Sequence, residues 1–153
     1  MLPDKGDIFT IKLRNQKLLP GQVIQYDKRG LPCYSIGLFD CIVASIEEAQ
    51  SLILEFDKCF SVLLATPECL QGKYGWTIVG NQRLVIPKKY FPYETIRKSG
   101  GQGALLHDKG AIEEFSNAYY ALLPWDNYYK PDYLDGLLLN PSKKPKNLTQ
   151  LCS

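Results

Sequence analysis

Few side chains in this chain are placed to do chemistry. The single imidazole, His107, stands beside Asp108, and five thiols are scattered as Cys33, Cys41, Cys59, Cys69 and Cys152. A Cys–His pair can act as nucleophile and base, but no motif sets any of these cysteines on a strained turn. Zinc sites are built from close pairs of ligands, and no two cysteines here have C-x-x-C spacing, so no metal is expected. Free cysteine packs as a small hydrophobe, and Cys41 and Cys59 sit in apolar runs. The thiols therefore read as reduced and structural, in a cytoplasmic protein. The run Lys98-Ser99-Gly100-Gly101-Gln102-Gly103 invites a phosphate-loop reading, but a Walker loop needs its Lys after the glycines. It reads instead as a flexible connector. Glu47-Glu48 and Glu113-Glu114 lie near the starts of predicted helices, where carboxylates favour the helix dipole rather than acid–base work. No enzyme activity and no cofactor are expected.

The most uneven stretch is residues 113–135. It holds five acids (Glu113, Glu114, Asp126, Asp132, Asp135) against one base, Lys130, a formal charge of −4. It also holds five of the 10 tyrosines (Tyr119, Tyr120, Tyr128, Tyr129, Tyr133) and Trp125. Tyr and Trp give large rigid contact area with a polar handle, and carboxylates steer a cationic partner. Trp125, Asp126, Tyr128, Tyr129, Asp132, Tyr133 and Asp135 are the candidate partner-binding residues. The competing reading is a packed C-terminal cover; helical spacing already assigns Tyr119 and Leu122 to the core.

These residues must be positioned by a chain of 153 residues and 17.3 kDa, suited to one domain. A composition 45% hydrophobic and 22% charged excludes wholesale disorder, collagen and coiled coil. The formal charge of +2 is small for a polyanion binder, and no apolar run is long enough to span a membrane. Period-two alternation predicts a strand over 7–14, and a second runs over 18–26 with Pro20-Gly21 as a kink. The apolar run 33–44 predicts a third strand, buried on both faces. Ser45-Ile46-Glu47-Glu48 matches a capping box and predicts a helix over about 46–57, with Ile46, Ala49, Ile53 and Phe56 as its stripe. A fourth strand follows over 59–65. Gly80-Asn81 between 75–79 and 82–86 reads as a hairpin. Asp108 caps a second helix over about 109–123, closed by Pro124. The fold expected is α+β and β-rich: an antiparallel five- to six-stranded sheet or partly open barrel, with one inserted and one C-terminal helix. Residues 1–140 form the domain, and 141–153 a basic flexible tail.

Gly6-Asp7-Ile8-Phe9, Gly21-Gln22-Val23 and Trp76-Thr77-Ile78-Val79-Gly80-Asn81, followed by Ile86-Pro87 and Tyr90-Phe91, carry a resemblance across residues 6–91. In these the chain resembles the Immunity protein 26 family of bacterial polymorphic-toxin and contact-dependent growth inhibition systems. The resemblance implies a mostly β fold and a cytosolic inhibitor of one cognate toxin, often a nuclease. It carries over neither catalytic nor contact residues. The partner expected is that toxin domain, basic in character. No nucleic acid or membrane partner is expected, and the free protein should be a monomer. The alternative is a small β-barrel module binding nucleic acid or peptide through an exposed basic and aromatic groove on its strands. If the acidic segment is not the toxin-facing surface, Arg14, Lys28 and Arg29 are the next candidates.

Overall fold

The computed structural model describes residues 3–28, 32–92 and 105–151. The expected connector 98–103, Arg29 and Cys152 lie outside them. Six strands, β1 (Asp7–Lys12), β2 (Leu18–Asp27), β3 (Cys33–Phe39), β4 (Cys59–Ala65), β5 (Thr77–Asn81) and β6 (Leu106–His107), form one open sheet. Its order is β5-β1-β2-β3-β4-β6, antiparallel except for the β4–β6 pair. The inserted helix α1 is Ile46–Ser51 and the C-terminal helix α2 is Lys109–Tyr119. The β-rich α+β expectation is met, in the form of an open sheet.

Both faces of the sheet are covered, so alternate residues of one strand enter different cores. Phe9, Ile11, Val23, Tyr34, Ile36 and Phe60 pack under α2 through Ile112 and Phe115, together with Trp125, Leu134 and Leu138. Ile8, Ile24, Phe39 and Cys59 face Leu54 and Ile86 on the other side. This explains why β3 is nearly all apolar, Ser35 excepted: it is central and wholly buried. Opposite Gly21, the Phe9 ring fills the space a side chain would take, and stacks on Trp76 at 5.2 Å.

The third strand stops at Phe39 rather than 44, with Val43 returning only as an isolated bridge to Leu18. Three further elements differ from expectation, each for a local reason. The capping box forms, with Glu48 N–H donating to Ser45 Oγ (3.2 Å) and Ala44 N–H to Glu48 Oε2 (3.0 Å), but α1 stops after six residues. Of its stripe only Ala49 is deeply buried, and Ile53 is 82% exposed. The Gln82 side chain takes over the next backbone groups, donating to the Leu52 carbonyl and accepting from the Leu54 amide (3.0 Å). The hairpin at Gly80-Asn81 is absent. Both residues lie inside β5, paired with Ile8 and Asp7. Residues 82–86 cross over the sheet, held by buried Gln22. Its Nε2 donates to the Gln82 and Arg83 carbonyls (both 3.1 Å), and its Oε1 accepts from the Val85 amide (3.3 Å). Finally, α2 ends at Tyr119 rather than 123 because Ala121 turns left-handed (φ 61°) and the Leu122 amide closes onto the Asn117 carbonyl (2.9 Å).

Residues 141–151 are docked, unlike the flexible tail expected. Lys143 Nζ donates to the Asp57 carbonyl (2.6 Å), Thr149 Oγ1 to the Ala121 carbonyl (2.9 Å), and the Leu151 amide to Asp126 Oδ1 (2.7 Å). Pro124 and Thr149 form a parallel bridge.

Candidate functional site

Residues 125–135 follow the turn that ends α2; Trp125 and Leu134 enter the core that α2 shares, and Tyr128 and Tyr133 pack against it. Trp125 is 1% exposed, and its ring packs against Phe115 at 5.9 Å. Burial of an indole demands a partner for its N–H. Nε1 donates to Asp135 Oδ1 (2.7 Å), whose other oxygen takes Lys144 Nζ (3.0 Å). Both therefore hold the segment rather than present it: Trp125 belongs to the core, and the half-buried Asp135 is its acceptor. Burial raises the Asp135 pKa, but the bonds from Trp125 and Lys144 outweigh it and hold the carboxyl below its usual range.

The rest of the segment is arranged on that anchor. Tyr128 and Tyr133 are half-buried and stack at 5.2 Å. Burial pushes the Tyr128 phenol up, and its hydrogen bond to the Glu114 carboxylate adds to this. Asp126 is half-buried on the Leu151 amide. Tyr129 is fully exposed at 108%, and Asp132 is exposed with Lys130 at 3.9 Å. Of the seven predicted residues, the structure thus presents Tyr129 and Asp132 outright, and parts of Asp126, Tyr128, Tyr133 and Asp135. The segment is also less acidic in three dimensions than in sequence. Lys144 reaches Asp135, and Lys109 reaches Glu113 (3.0 Å).

The thiol–imidazole alternative finds no geometric support. Burial pushes the Cys41, Cys59 and Cys69 thiols up to about 11, and that of Cys33 upward, opposite to the shift that activates a nucleophile. His107 is buried in β6, and burial lowers its pKa. Its ring nitrogens meet no partner of hydrogen-bonding geometry among the described residues; the Leu64 backbone and the Asp108 charge oppose the effect of burial without overcoming it. Among the described residues no cluster of His, Cys, Asp or Glu could hold a metal ion, and no helix is long and apolar enough to cross a membrane.

A second surface was not legible in sequence. Two adjoining depressions of about 460 and 530 Å³ share Lys12, Gln16 and Glu113. They run along the outer edge of β1, with Tyr74 and Trp76 on one wall and the start of α2 on the other. The residues come from four distant stretches, so no window of sequence shows the cluster. The signal available was the exposed polar alternation of Lys12, at the end of β1, and Arg14 just beyond it.

Comparison with protein-family models, with curated proteins and with solved structures finds no match. Function must therefore be argued from the chain's own residues.

Proposed function

We propose that this chain is an immunity protein that binds a cognate bacterial toxin, a nuclease, and neutralises it by covering its active cleft without turnover. One observation carries this reading: an exposed tyrosine and exposed carboxylate, Tyr129 and Asp132, stand on a segment held at its two ends by buried Trp125 and its acceptor Asp135, which pairs with Lys144. An exposed aromatic on a held backbone, with only its own side chain left to order, suits a binding anchor. Asp126 and Asp132 would meet Lys or Arg on a basic nuclease and speed its capture. The resemblance of residues 6–91 to the Immunity protein 26 family points the same way. Trp125, being in the core, acts through the segment it holds.

The test is co-expression with the toxin domain encoded immediately upstream, followed by purification of the complex and a cell-survival assay. Tyr129→Ala should leave stability unchanged and weaken the complex by about 2 kcal/mol, roughly 30-fold. Asp132→Lys should slow association and flatten its salt dependence. A toxin that neither co-purifies with the wild-type chain nor is neutralised by it would overturn the proposal. Unchanged association by both variants would move the interface off this segment.

A further inference from the structure

We propose that the trough beside β1 binds an extended, acidic segment of a partner protein, added as a strand along residues 11–13. The inference concerns a surface separate from the tyrosine segment and does not rest on the toxin reading.

The first support is an open ladder. β5 covers only part of the outer edge of β1, its last pair being Thr10 with Thr77. In the β1–β2 hairpin the Leu13 amide bonds the Lys17 carbonyl (2.8 Å). Alternation along an antiparallel strand then turns the Lys12 amide and carbonyl to the opposite side. That is the side on which the Arg14 amide meets Asn117 Oδ1 (2.8 Å). No described strand reaches Lys12 there, so one donor and one acceptor face the trough beyond the end of β5. A strand of three residues spans roughly 10 Å and would continue the line of β5.

The second support is charge. Lys12 and Arg14 are exposed and make no ion pair among the described residues. The two carboxylates of the same walls are already engaged. Glu113 accepts from Lys109 Nζ (3.0 Å) and Trp76 Nε1 (3.3 Å), and Glu114 bonds Tyr128. Lys12, Arg14 and Lys109 against Glu113 and Glu114 leave the trough a formal charge of +1, carried by the exposed Lys12 and Arg14. Tyr74, 79% exposed, stands on the facing wall as a surface for an apolar side chain of the incoming strand.

The experiment is an NMR titration of the full chain with an acetylated, amidated hexapeptide of alternating Glu and Val. Shifts are expected at Lys12, Arg14, Gln16, Tyr74 and Trp76, with slowed exchange of the Lys12 amide. N-methylation at alternate residues of the peptide should weaken binding roughly tenfold, because the main-chain donors are gone. A Lys12→Glu, Arg14→Glu variant should lose a similar factor or more, while its spectrum away from the trough stays unchanged. The corresponding Lys–Val peptide should not bind. The proposal is overturned by the absence of shifts at the trough, by equal binding of the N-methylated peptide, or by an oligouridylate displacing the hexapeptide from the same residues.

Discussion

Replacing Asp135 by Asn tests whether the Trp125 anchor holds the C-terminal segment. Asn keeps the shape and an oxygen that can accept from Trp125 Nε1, now bonded to Asp135 Oδ1 at 2.7 Å, but removes the charge. A hydrogen bond to a charged group contributes about 1.5–3 kcal/mol and a neutral one about 0.5–1.5, so the exchange costs about 1 kcal/mol. Loss of the Lys144 pair, whose side chains are 40% and 38% exposed, adds little. Such pairs are worth about 0–1 kcal/mol. The total is about 1–2 kcal/mol, or a fall in Tm of about 2–8 °C for a chain of this size. Denaturant unfolding followed by fluorescence measures it, in a cycle with Trp125→Phe. The two substitutions should couple by about 1 kcal/mol, since Trp125→Phe removes the donor of the same bond whose acceptor Asp135→Asn weakens. The pH dependence has a fixed sign. The folded Asp135 pKa lies below the unfolded value of about 3.9, so its stabilisation is complete above that value and is lost as pH falls through the folded pKa. The gap between wild type and variant should be flat near neutrality and close toward acid. Additive single effects, or a gap that persists unchanged below the folded Asp135 pKa, would refute the assignment.

Other outcomes follow from the same geometry. Gln22→Ala strands the Gln82 and Arg83 carbonyls and the Val85 amide and leaves a cavity, so unfolding free energy should fall by about 2–4 kcal/mol. Ala121→Gly relieves a left-handed residue at the end of α2 and should raise stability by roughly 0.5–1 kcal/mol, read as a higher denaturant midpoint. Burial holds the His107 pKa below its ordinary value, so the unfolded chain takes up this proton first, near pH ~6.5. Stability should fall from there down to the folded pKa, and His107→Phe should flatten that part of the pH–stability curve without touching the more acid Asp135 region.

Local signals in the sequence were sufficient for elements whose partners lie close by or whose pattern is repeated. β1, β2 and β4 follow from alternation and apolar runs, and the Ser45 and Asp108 caps from residue type, because each such signal concerns a few adjacent residues. The failures occur where a distant side chain intervenes. Gln82 captures the backbone that would have continued α1, and Gln22 draws residues 82–86 across the sheet instead of into a hairpin.

The candidate surface divides in the same way. Composition alone located the tyrosine- and acid-rich segment at 113–135, since clustering along the chain is a one-dimensional property. Which of those side chains meet solvent is a property of packing. Trp125 has the residue type of an anchor, yet the space beside Phe115 takes it into the core, and Tyr129 is left fully exposed. Charge was also reassigned by the fold, because Lys144 and Lys109 bring cations to Asp135 and Glu113. The trough beside β1 existed only after folding: a strand that stops one pair short, a helix start and a loop must meet before Lys12 and Arg14 share a wall with Tyr74 or Glu113.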